Sequence, residues 1–144
     1  MLSEFRNNAT LTKKVYDRTM EPLCAFYHIT RMELDILLFL ANNPGYDTAK
    51  DIVVQKRFTK SHVSSSLKLL EEKGYLERSF REDNHKTVHL HLLPASQEIV
   101  AAGQEAQRSV FNKIFGGLSP EEIQVLDKIT EKIRANIQKA LKED

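Results

Sequence analysis

The sequence predicts an α+β fold that is mostly α. Three observations carry this: three helix-start signatures, apolar stripes at helical spacing along most of the chain, and one short stretch where the period falls to two. The starts set the frame. Thr30-Arg31-Met32-Glu33, Thr48-Ala49-Lys50-Asp51 and Ser119-Pro120-Glu121-Glu122 each place a hydroxyl at the helix cap and an acid three residues on. Each side chain can then satisfy the other's free backbone N–H. Pro120 adds a ring at a first helical position, where its missing N–H costs nothing. In the second start the shorter Asp51 stands where Glu is usual.

The elements follow in order. Leu11, Val15, Leu23 and Phe26 mark a first helix, and Pro22 predicts a bend or a fresh start within it. Leu34, Leu37, Leu38 and Ala41 trace the next, which Asn43-Pro44-Gly45 stops. Ala49, Ile52 and Val53 give a short third helix; Val63, Leu67 and Leu70 give a fourth, ended by Gly74. The period then changes. Leu76, Arg78 and Phe80 alternate with Glu77, Ser79 and Arg81, and Val88, Leu90 and Leu92 alternate with Thr87, His89 and His91. Two such runs about a polar turn predict a hairpin, closed by Pro94. Ile99, Ala102, Ala106, Val110 and Ile114 carry a fifth helix up to Gly116-Gly117. Ile123, Leu126, Ile129, Ile133, Ile137 and Leu141 carry a sixth.

Bulk properties narrow the function classes. A chain of 144 residues with 41% hydrophobic content is expected to form one domain with a packed core. The longest apolar run, residues 36–41, is far short of a membrane span, and MLSEFRNNATLTKK is too polar for a signal peptide. A soluble, cytoplasmic protein without a membrane partner is expected. One cysteine, Cys24, excludes an intrachain disulfide and a multi-cysteine zinc site. No glycine-rich phosphate loop or nucleophile elbow is present, so neither an enzyme nor a bound cofactor is expected. Net charge is only +1, but positions 50–70 set five cations against one carboxylate, a local +4. A basic segment on a near-neutral chain fits a nucleic-acid contact surface; a solvated basic face is the plainer alternative.

Short helix, tight linker, second helix and hairpin form the order of a winged helix-turn-helix. Within it, TAKDI, TKSHVSSSLKLLEEKGYL and the hairpin that follows resemble the MarR family, as does LSPEEIQVLDKI near the end. The resemblance runs along the whole chain. It implies one domain over residues 1–144, with a DNA-binding lobe over 30–93 and dimerisation helices over 1–29 and 94–144. It further implies a homodimeric repressor whose two recognition helices enter successive major grooves of a pseudo-palindromic double-stranded operator. A small-molecule effector could release the DNA by changing the spacing of those helices, though nothing in the sequence identifies one. The wing tip departs from the family: Asp83-Asn84-His85-Lys86 puts His85 where many members carry arginine.

Candidate contacts follow. Thr59 is the expected cap of the recognition helix, with Lys60, Ser61 and His62 nearest the bases. Ser64, Ser65 and Lys68 share its polar face. Short hydroxyls, an imidazole and lysines suit a groove, where side chains reach base edges and phosphates; the alternative is an ordinary solvated face. Thr48, at the first helix of the pair, joins them by the resemblance. In the wing, Arg78, Arg81 and Lys86 are phosphate candidates, with Asp83, Asn84 and His85 at the tip. His89 and His91 share a strand face, but two ligands do not make a zinc site, and a solvated face is expected. Cys24, between Leu23 and Phe26, reads as a buried structural thiol rather than a redox sensor. Winged helices also bind proteins, and that is the competing reading of the whole module.

Overall fold

The computed structural model describes residues 1–81 and 84–143, apart from the side chain of His85. The chain forms two compact units, Met1–Val110 and Phe111–Asp144. The first holds α1 (Leu2–Tyr27), α2 (Arg31–Asn42), α3 (Ala49–Lys56), α4 (Lys60–Glu72), β1 (Leu76–Arg81), β2 (Asn84–Leu92) and most of α5 (Gln97–Phe115). The second holds the end of α5 and α6 (Pro120–Lys142). Among the described residues no helix is long and apolar enough to cross a membrane.

All three helix starts close in both directions. Thr30, Thr48 and Ser119 accept from Glu33, Asp51 and Glu122 backbone N–H groups, and those three carboxylates accept back from the caps. Asp51 reaches at 3.2 Å despite its shorter arm. Helix α1 runs through Pro22 without a fresh start and ends at His28, whose φ of 54° is left-handed. Helix α4 ends as its glycine predicts. Gly74, at φ 76°, donates to Glu71 O, and Tyr75 donates to Leu70 O, so two carbonyls of the last turn gain partners.

The core of the first unit is built around α2. Leu34, Ile36, Leu37 and Leu38 meet Ile52 of α3 and Val63, Leu67 and Leu70 of α4; Leu76, Leu90 and Ile99 complete the cluster. Helix α5 comes close, because a Cβ at Gly103 would lie 2.7 Å from Leu38 Cδ2. The hairpin is antiparallel, with Leu76 opposite Leu92, Arg78 opposite Leu90 and Phe80 opposite Val88. Two links stiffen this core. Lys73 Nζ, just after α4, sits 2.8 Å from Glu33 Oε2 and also donates to His28 O. The Glu33 carboxylate is buried and needs that partner. Arg31 lies over the Tyr16 ring and bridges Asp17 and Asp35. Hydrogen bonds from Lys13 and Arg31 hold the Asp17 carboxyl below the usual carboxylate range.

Helix α6 differs from the rest. None of its residues is buried; Leu126, Ile129 and Ile137 are 38%, 48% and 46% exposed. Within the second unit, Leu118, Val125, Leu126 and Ile129 line an apolar groove of about 420 Å³. In α1 the expected stripe is only partly covered: Leu23 packs on the core, while Phe26 is exposed.

Candidate nucleic-acid interface

Helices α3 and α4 meet across a three-residue turn, Arg57-Phe58-Thr59. Arg57 makes the turn at φ 55°, a left-handed position that an arginine adopts at some cost. Phe58 anchors it by packing on the core. Thr59 then caps α4 by accepting from His62 N–H at 3.3 Å.

The sides of α4 separate by burial. Val63, Ser66, Leu67 and Leu70 are buried; Lys60, Ser61, His62, Ser64, Ser65 and Lys68 are all exposed. Most of the apolar side is therefore spent on the core, and the polar side, together with Leu69, is left to solvent. Ser65 donates its hydroxyl to His62 O, so its oxygen keeps only acceptor capacity. Lys60, Ser61, His62 and Ser64 carry no such internal bond among the described contacts.

A cleft of about 430 Å³ runs beside this face. Ala49, Val53, Val63 and Leu67 form its apolar walls, and Lys50, Lys60, Ser64 and Arg78 add three cations and a hydroxyl. Arg78 was expected as a phosphate contact from the wing. It is ion-paired, with Nε 2.7 Å from Glu71 Oε2 on the last turn of α4. Thr48 is half-buried, and its oxygen is engaged by the Asp51 N–H. Arg81 and Lys86 are exposed at the far end of the hairpin. Asn84, the first residue of β2, accepts from Lys86 N–H at its side-chain Oδ1 and donates its amide to Thr87 Oγ1. Asp83 and the side chain of His85 lie outside the described residues, so the arrangement of the tip stands only as an expectation.

The histidine strand face is corrected. His89 is largely covered, and its Nδ1 lies 3.0 Å from both oxygens of Asp47. The backbone adds to the clasp, because Leu90 donates to Asp47 O and Thr48 bridges His89. The loop before α3 thus ties the hairpin base to the cap of α3. His91 is exposed and meets Ser79 Oγ at 2.6 Å. Nothing local announces the Asp47–His89 pair, which spans 42 positions, so periodicity could not find it. The Glu71–Arg78 pair was missed for a similar reason: it joins a helix end to a strand across a turn. Cys24 is half-buried, and burial pushes its thiol pKa up.

The fold and the helix pair define a winged-helix protein. The family model described as "MarR family" matches residues 28–86, which take in α2, α3, α4, β1 and the start of β2. That winged-helix segment is therefore similar to the MarR family. Solved structures carry the likeness along the chain. One is a putative MarR family regulator from Listeria monocytogenes complexed with a 26mer DNA: 15% identity, TM-score 0.79, covering 92% of this chain and 87% of that one. A MarR family regulator from Silicibacter pomeroyi matches at 18% identity and TM-score 0.75, over 90% of this chain and 86% of its own. The S. aureus MepR–DNA complex matches at 21% identity and TM-score 0.72, over 92% of this chain and 93% of that one. No curated protein sequence matches the chain.

Proposed function

We propose that this chain is a sequence-specific, double-stranded-DNA-binding transcription regulator of the cytoplasm, without catalytic activity of its own. One observation carries the reading. Helix α4 packs Val63, Leu67 and Leu70 on the core and turns Lys60, Ser61, His62, Ser64, Ser65 and Lys68 outward, with Leu69 the one large apolar side chain left exposed on it. A protein-docking helix would be expected to leave several apolar anchors on that side, where α4 leaves Leu69 alone. Short polar side chains and lysines instead match base edges and phosphates. Two of the structures similar in fold were solved with DNA, which supports the same reading.

The finer proposal has three parts. First, the protein is a homodimer whose exposed α6 stripe pairs with a second copy, since Leu126, Ile129 and Ile137 lie along one face. Second, two α4 helices enter successive major grooves of a pseudo-palindromic operator, with Thr48, Arg78, Arg81 and Lys86 along the backbone and the wing tip Asp83-Asn84-His85 presenting His85 to the minor groove; the dimer acts as a repressor by occluding a promoter. Third, a small-molecule effector releases the DNA. The first unit offers a polar cavity of about 220 Å³ for it, where Tyr16, Asn42, Lys56 and Gln107 come together.

The experiment is selection of DNA from the source genome by the purified protein, followed by binding of the selected duplex across a salt series. The expected result is a selected pseudo-palindrome whose affinity falls steeply with salt. Failure to enrich any sequence, with weak salt dependence, favours the protein-binding reading.

A further inference from the structure

Arg78 occupies an unusual place for a wing cation. It is the third residue of β1, between Leu76 and Phe80 on one side of the hairpin and opposite buried Leu90. Its stem therefore leaves the sheet on the core side, and its head helps line the cleft between α3, α4 and β1. On α4, Lys60, Ser64, Leu67 and Glu71 follow one another at spacings of about one turn, so Glu71 continues the helix stripe that borders this cleft.

Glu71 meets the guanidinium at Nε, the nitrogen nearest the stem, at 2.7 Å. A guanidinium held there keeps most of its N–H donors, those on the two Nη atoms, for an outside oxygen. Both side chains are substantially exposed, so the pair adds little to the stability of the fold. Its effect lies in geometry. An unheld arginine must give up several rotatable bonds when it meets a phosphate; a held one has given them up already.

We propose that Glu71 is a positioning residue, holding the Arg78 guanidinium at the mouth of the α3–α4–β1 cleft for a DNA backbone phosphate. The proposal rests on the DNA-binding reading and deepens it. It also makes a prediction of unusual sign. A carboxylate beside DNA repels phosphates, so on charge alone removing Glu71 tightens binding. On positioning, removing it weakens binding.

The test measures binding of the full-length protein to its selected duplex over a salt series, for wild type, Glu71→Ala, Glu71→Gln, Arg78→Ala and the Glu71→Ala/Arg78→Ala double variant. Glu71→Ala is expected to weaken binding about 3- to 10-fold and to lower the salt slope by about one, the same effect expected of Arg78→Ala. Glu71→Gln, whose amide oxygen still accepts from Nε, is expected to stay within about twofold of wild type. In the Arg78→Ala background Glu71→Ala should add no loss. Arg78→Lys, a point charge without an Nε to hold, is an independent arm and should lose as much as Glu71→Ala. Equal tightening by Glu71→Ala and Glu71→Gln overturns the proposal, as does wild-type affinity in Arg78→Lys. Wild type that binds no duplex in a salt-dependent way overturns the DNA reading itself, and this role with it.

Discussion

Helices α4 and α6 are both amphipathic, yet their apolar sides meet different fates. In α4, Val63, Leu67 and Leu70 are buried within the first unit. In α6, the stripe Ile123, Leu126, Ile129, Ile133 and Ile137 includes no buried residue. The same pattern of residues thus has two meanings. Where the chain covers the apolar side itself, the polar side is left free to act. Where it does not, the apolar side stays exposed, and a second copy is the occupant proposed for it. A solvated helix gains nothing from five isoleucines and leucines in register.

The largest effect should come from charging the uncovered stripe. Leu126→Asp places a carboxylate in the proposed dimer interface, where desolvation adds to the lost apolar contact. The protein is expected to sediment as a dimer at micromolar concentration, and the variant should dissociate at least about 100-fold more readily, given the several kcal/mol typical of a buried unpaired charge. A stable wild-type monomer removes the contrast between the helices.

The covered stripe should respond in stability rather than assembly. Leu67 is 1% exposed, and Leu67→Ala is expected to cost about 2–5 kcal/mol in denaturant unfolding. An effect under about 0.5 kcal/mol is the level of a surface site and would show that α4 is not held by its apolar side.

Cys24 lies between these extremes, half-covered on α1, with its thiol pKa raised by burial. A raised pKa leaves less thiolate near neutral pH. Iodoacetamide should therefore alkylate the native protein several-fold more slowly than the urea-unfolded chain at the same pH. Equal rates would mean that the thiol is as accessible as in the unfolded chain.

Much of this contrast was legible in the sequence. Caps and periodicity are local, so Thr30, Thr48 and Ser119 announced their helices, and the change of period at Leu76 announced the hairpin. The polar side of α4 was legible for the same reason. What periodicity cannot say is whether a neighbour covers an apolar side. Phe26 was grouped with Leu23 in one stripe, yet only Leu23 packs on the core. Pairings between distant elements were equally silent: His89 was expected in solvent and is clasped by Asp47, and Arg78, expected as a phosphate contact, is ion-paired with Glu71. Such contacts follow from how the elements pack, not from any residue's neighbours in sequence.

The role proposed for the exposed side of α4 is to read bases at its N-terminal end and to grip phosphates further along. It is tested most directly by His62→Ala and Lys68→Ala, each measured on the selected operator and on a scrambled duplex at one salt concentration. Both side chains are exposed, one in the first turn and one two turns on. His62→Ala should narrow the gap between operator and scrambled DNA by about 1–3 kcal/mol, the worth of a base contact. Lys68→Ala should weaken both duplexes alike and leave that gap unchanged. If His62→Ala lowers both affinities by the same factor, His62 does not read bases, and the division of α4 into a reading end and a gripping end is wrong.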